Sequence, residues 1–169
     1  IGDSVMIFFG DPDTKGAKED AIACCQMAME MLSFLENNQQ HFQDMYNFPE
    51  KLEIRVGIHN GLCNVGNFGS EQRLDYTAIG RTVNVAARLE QAAPKNSILV
   101  SSAIRNLIKN KFETSSPIEV KAKGIDKPIP SYVLNRQEPQ NTKVIKELDG
   151  LKLEYDPKKI DKNKLLEII

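Results

Sequence analysis

The stretch Leu52-Glu53-Ile54-Arg55-Val56-Gly57-Ile58-His59 alternates apolar residues with polar or small ones. Period two is the spacing of a strand with one buried face. Leu52, Ile54, Val56 and Ile58 therefore line a core, and Arg55 projects from the opposite face. Asn60-Gly61 follows, a tight-turn dipeptide, which predicts that Leu62–Val65 folds back to pair with this strand.

Working outward, the glycine-punctuated Gly66-Asn67-Phe68-Gly69-Ser70 leads into a strand over Arg73–Ile79, then a helix over Thr82–Ala92 that Pro94 ends. Beyond it the pattern predicts a strand at Ser97–Val100, a helix at Ser102–Asn110, a strand at Ile118–Val120, and a last strand at Ser131–Leu134 after the turn Gly124–Pro130. Upstream, Ser4–Phe9 is a short apolar run closed by Gly10-Asp11-Pro12, which reads as a buried strand. Between these, Ala21, Cys24, Cys25, Ala28, Met31, Leu32 and Leu35 recur at helical spacing over Asp20–Glu36, and Asn37-Asn38 stops the helix. Helices alternating with strands around a hairpin give an α+β class, and a ferredoxin-like split βαβ sheet with helices on one face accommodates the order. After Arg136, residues 137–142 read as a linker and 143–169 as a charged C-terminal extension with a solvated face.

The 169 residues carry 22 Lys+Arg against 23 Asp+Glu, a net charge of -1. That balance argues against a partner bound by bulk electrostatics, so no nucleic acid is expected. No apolar run approaches the roughly 18–20 residues of a membrane-spanning helix. Cys24, Cys25 and Cys63 have no metal-ligand or disulfide spacing and read as small buried hydrophobes in a reducing, intracellular setting. The chain begins at Ile1, which suggests a piece of a longer parent.

Individually, the chemistry-bearing residues are ambiguous. Asn84 and Arg88 stand at i and i+4, on one face of the predicted helix. An amide and a guanidinium there could hold a polar, phosphorylated substrate, or Arg88 could simply pair with a carboxylate. Asp3, beside Gly2 at the entrance of the first apolar run, could ligate Mg²⁺ or belong to a common turn. Arg55, Lys121 and Lys123 are phosphate contacts or surface charges. His59 lacks a Ser, Cys or acid at a diagnostic spacing, and a catalytic reading is rejected. Gly66-x-x-Gly69 has neither the GK[ST] of a Walker loop nor the context of a dinucleotide fingerprint.

Together, however, Arg55-Val56-Gly57-Ile58-His59-Asn60-Gly61, Gly66-Asn67-Phe68-Gly69, Asp75-Tyr76-Thr77-Ala78-Ile79-Gly80 and Val83-Asn84-Val85-Ala86-Ala87-Arg88-Leu89-Glu90 closely resemble the class III nucleotidyl cyclase catalytic domain. Ile1-Gly2-Asp3-Ser4 and Lys121-Ala122-Lys123-Gly124 through Tyr132 fit in order, so the resemblance covers roughly residues 1–135, and the catalytic domain is read as residues 1–136. It implies an adenylyl cyclase: ATP is converted to 3′,5′-cyclic AMP and pyrophosphate by attack of the ribose 3′-hydroxyl on the α-phosphorus. Two Mg²⁺ or Mn²⁺ ions assist, held by two aspartates, of which Asp3 matches the second. By the same resemblance Arg55 and Lys121 grip the β- and γ-phosphates, Asn84 orients the ribose, and Arg88 stabilises charge on the α-phosphate. Thr77 occupies the base-reading position, where Asp or Thr accompanies adenine and Cys guanine.

The resemblance also implies a homodimer with the site at its interface, a regulatory domain in the parent chain, and a cytoplasmic location for the domain. Three features depart from the family pattern. The first strand with its metal aspartate and the helices after it are missing, a base-reading lysine would fall two positions before Ile1, and Arg81 stands where a small or acidic residue is usual. The chain by itself is accordingly expected to be inactive and, with an unpaired sheet edge, to self-associate. The alternatives are a guanylyl cyclase, a non-catalytic cyclase-like module that binds nucleotide or a partner, and an unrelated ferredoxin-like RNA binder. The last lacks the paired aromatics on adjacent strands that such a surface uses.

Overall fold

The computed structural model describes residues 4–70, 73–120 and 128–135, and the backbone of 144–148 and 151–155. It divides into two compact units, Ile1–Arg136 and Gln137–Ile169. In the first, the centre is a four-stranded sheet of β1 (Arg55–Ile58), β4 (Ser97–Ser101), β6 (Ile129–Val133) and β5 (Ile118–Val120), in that spatial order. β1 and β4 run parallel, Arg55 opposite Ser97 and Ile58 opposite Val100, and the remaining pairs are antiparallel. A second, two-stranded antiparallel ladder joins β2 (Asn64–Ser70) to β3 (Arg73–Ile79) over seven positions.

β4 shows how the sheet divides its two faces, because successive side chains point opposite ways. Ile98 and Val100 enter a core with Ala21, Ile22, Cys25, Ala28 and Leu32 of α1 (Ala17–Asn37) and Ile104 and Ile108 of α4 (Ser102–Ile108). Leu99 enters the opposite core, with Val85 and Leu89 of α3 (Arg81–Ala92), Ala93 and Val120. The α+β class stands. The expected placement of helices on one face is corrected: α1 and α4 cover one face and α3 the other, because β4 is apolar at consecutive positions and both its sides need cover.

Three other expectations change. Ser4–Phe9 is not a buried strand: it has no regular structure, and Val5 is 80% and Met6 47% exposed. An apolar run becomes a strand only where a sheet edge hydrogen-bonds to it, and no described strand does. The segment instead lies beside β3, through a Phe8–Tyr76 ring contact at 6.2 Å and a hydrogen bond from the Tyr76 hydroxyl to Asp11.

The hairpin across Asn60-Gly61 does not form either. β1 takes β4 as its neighbour, and β2 takes β3. The strand also begins later than Leu52, because side chains stand in for a neighbouring strand there. Gln39 accepts from the Leu52 N–H (2.9 Å) and donates to its carbonyl (2.7 Å), while Asn96 accepts from the Ile54 N–H (3.2 Å). Gln39 opens α2 (Gln39–Tyr46), a helix that the sequence pattern does not mark, while α1 ends at Asn37-Asn38 as expected.

Thirdly, the cysteines part company. Cys25 is buried and Cys24 half-buried, with burial pushing their thiols up to about 12 and about 11, whereas Cys63 is exposed. All three are free thiols.

In the second unit, β7 (Val144–Leu148) and β8 (Leu151–Tyr155) pair antiparallel, Val144 opposite Tyr155 and Leu148 opposite Leu151. The expected linker, 137–142, lies outside the described residues. Among the described residues no helix is long and apolar enough to cross a membrane.

Candidate active site on the third helix

The site is built on α3. Its buried stripe is Val85 and Leu89, at i and i+4, continued by Ala93. A residue one position earlier lies about 100° around the helix, so Asn84 and Arg88 flank that stripe together at the edge of the packed face. Asn84 is exposed and Arg88 half-buried. The helix packs very close to β1 at Gly57: a Cβ there would stand 2.2 Å from the Glu90 nitrogen and 2.4 Å from the Ala86 carbonyl oxygen. Glycine is therefore required at mid-strand for the helix to dock.

β3 delivers the chain to this helix. Thr77, half-buried and opposite Gly66 in the ladder, lies three residues before Gly80, the cap of α3. Thr77, Asn84 and Arg88 thus belong to one strand–helix unit.

Arg55, on β1 under the far end of α3, is already partnered. Its Nε lies 3.3 Å from Glu90 Oε1, and its guanidinium donates to the Gln91 carbonyl at 3.4 Å. The pair is partly exposed, so it contributes little stability. Arg88 donates to Gln91 Oε1 at 2.8 Å. Gln91 thereby joins the two arginines, one at its carbonyl and one at its side chain. Among the described residues no carboxylate pairs with Arg88, and the Asn84 amide makes no side-chain hydrogen bond. These are two polar groups, one turn apart, with donors to spare.

His59 has a structural task. Its Nδ1 is 2.8 Å from Ser101 Oγ, which also accepts from the Ile104 N–H and so caps α4. Burial holds the imidazole below its ordinary pKa.

Asp3 and Lys121 lie outside the described residues. Among the described residues no three His, Cys, Asp or Glu side chains come together as a metal site. Sequence reasoning missed Gly57 and Gln91. A glycine interrupting an alternating strand is a readable signal of close approach, whereas nothing in the sequence marks Gln91.

Residues 1–136 match the adenylate and guanylate cyclase catalytic domain. The chain belongs to this family. Catalytic domains of the family are generally metal dependent. Among curated relatives, adenylate cyclase 1 of Rhizobium meliloti (strain 1021) is 37% identical over 73% of this chain and 18% of its own length. The adenylate cyclase of Anabaena cylindrica is 32% identical over 78% of this chain and 26% of its own. The chain thus spans about a quarter or less of these relatives. Among solved structures, the adenylyl cyclase CyaB from P. aeruginosa superposes with a TM-score of 0.76 at 40% identity, covering 82% of this chain and 70% of that one. Solved domains with the same fold include a guanylate cyclase domain from Catenaria anguillulae in complex with GTP and a dimeric guanylyl cyclase domain from Blastocladiella emersonii.

Proposed function

We propose that this cyclase domain converts ATP to 3′,5′-cyclic AMP and pyrophosphate. The observation that carries the reading is the strand–helix unit in which Thr77, Asn84 and Arg88 follow one another, the last two without a carboxylate partner among the described residues. The similarity to adenylate cyclases supports it.

In this reading the Thr77 hydroxyl accepts a hydrogen bond from the adenine amino group. Asn84 holds the ribose so that its 3′-hydroxyl oxygen is in line with the α-phosphorus. The 3′-hydroxyl gives up its proton to solvent as its oxygen bonds to phosphorus and the bond to the bridging oxygen breaks, and pyrophosphate carries off the electron pair. Arg88 faces the charge that grows on the α-phosphate, a fixed cation of the sort that contributes about 3–4 kcal/mol to a transition state. Arg55 and Lys121 hold the β- and γ-phosphates, which for Arg55 means exchanging Glu90 for phosphate. Asp3 would be one ligand of two Mg²⁺ or Mn²⁺ ions, whose chemistry there would be to activate the hydroxyl and neutralise phosphate charge. A second copy of the domain completes the site, and a regulatory domain in the parent chain governs it.

The test is cyclic AMP formation by the purified protein carrying this chain, with ATP and Mn²⁺. Product that disappears in Arg88→Ala supports the reading. Preference for GTP in competition would make it a guanylyl cyclase, and nucleotide binding without turnover a non-catalytic module.

A further inference from the structure

We propose that Thr82 is a positioning residue, whose hydroxyl clasps the first turn of α3 to the loop between β1 and β2 and so sets where Asn84 and Arg88 stand. Thr82 Oγ1 donates to the Leu62 carbonyl at 2.6 Å. The loop comes so near that a Cβ on Gly61 would lie 2.7 Å from that same oxygen, and a Cβ on Gly80 3.5 Å from Cys63. Leu62 turns its carbonyl toward the helix and leaves its side chain 98% exposed, so it is the backbone and not apolar packing that holds this corner.

The loop is itself tethered at its start, where His59 meets Ser101 at the end of the buried β4. A path of fixed contacts therefore runs from the core strand through residues 59–62 to the helix. α3 needs it, because its cap is Gly80, which provides no side-chain hydrogen bond to the first turn. Thr at the second helical position would ordinarily be free to turn to solvent. Here its hydroxyl is spent across to another segment, two residues before Asn84.

This inference rests on the proposed role of Asn84 and Arg88, and its experiment separates the two. Turnover would be measured for Thr82→Val, which keeps the shape and removes the donor, and for Thr82→Ser, which keeps the donor. Amide hydrogen exchange would be followed in residues 60–63 and 81–84 of the same proteins. The expected result is a kcat about tenfold lower in Thr82→Val at little-changed KM, as a small misplacement of catalytic groups produces. Exchange should be faster in both segments, and Thr82→Ser should restore both readouts. Gly61→Ala, which pushes on the clasp from the loop side, should reproduce the Thr82→Val pattern and covers the case in which that variant does not fold.

A kcat within twofold for Thr82→Val, or an equal loss in Thr82→Ser, would overturn the assignment. If the unsubstituted protein turns over no nucleotide, the proposed function fails alone. Exchange then decides the clasp: acceleration in both segments supports it, and unchanged exchange refutes it.

Discussion

The two faces of the central sheet are unequal. Under α1 and α4 lies a continuous apolar core of twelve buried residues among those described, against five under α3. The larger face is closed by side chains of ordinary bulk, Leu32, Ile98, Ile104 and Ile108 among them, all at most 2% exposed. The smaller face is closed partly by the absence of a side chain, at Gly57, and its margin carries Arg55, Asn84, Arg88 and Gln91. Stability is thus concentrated on one side of the sheet, and on the other the helix is brought against the backbone with its polar residues at the rim. Such a division lets polar groups stay exposed for a substrate without costing the core its apolar area.

The sharpest way to break that contrast is at the one residue where α3 depends on β1. Gly57→Val should cost about 3 kcal/mol, the upper end of the usual overpacking range, since the new atoms meet helix backbone and not a flexible side chain. Denaturant unfolding measures it, and a variant of undiminished stability would mean that α3 is not docked as described. Next, Ile98→Ala, on the α1/α4 side, should cost about 2–5 kcal/mol through the cavity it leaves, with turnover per folded molecule unchanged.

On the opposite side Arg88→Ala should do the reverse. Turnover should fall at least about a hundredfold with the melting temperature nearly unmoved. Activity within twofold of the parent would remove Arg88 from its proposed role.

The smallest effect concerns pH. Burial depresses the His59 pKa in the folded state, so the unfolded chain binds its proton first on acidification. The His59 contribution to stability is present above its ordinary value, about pH 6.5. It is lost as the pH falls from there toward the depressed folded-state value. Stability followed from pH 7.5 down to 5.5 should therefore decline less in His59→Gln than in the parent, and equal slopes would exclude this group as the cause.

Much of this was legible in the chain itself. The 3.6-residue recurrence from Ala21 to Leu35 marks α1, and Val85–Leu89 marks the packed stripe of α3, because a helix must repeat its apolar contacts to bury one side. The Arg73–Ile79 and Ile118–Val120 strands appear at their expected bounds. Asn84 and Arg88 share a helix face by spacing alone, and ordered motifs over 136 residues carry the family.

Partner choice was not legible, because pairing depends on residues far away in sequence. Local turn chemistry at Asn60-Gly61 favours a hairpin, yet β1 gains more from β4, whose Ile98, Leu99 and Val100 are almost wholly buried. Gly61 serves the close approach to Thr82 instead. Likewise Ser4–Phe9 has the composition of a strand but no described edge to join. Composition and periodicity thus determine which segments are helical or extended and which side of each is apolar, since those are properties of neighbours in the chain. Only the tertiary structure decides which strand lies beside which, which helix takes which face, and whether an arginine such as Arg55 or Arg88 meets a carboxylate or an amide. Those outcomes turn on ångström-scale approaches between segments far apart in the chain, 42 residues in the pairing of Arg55 with Ser97.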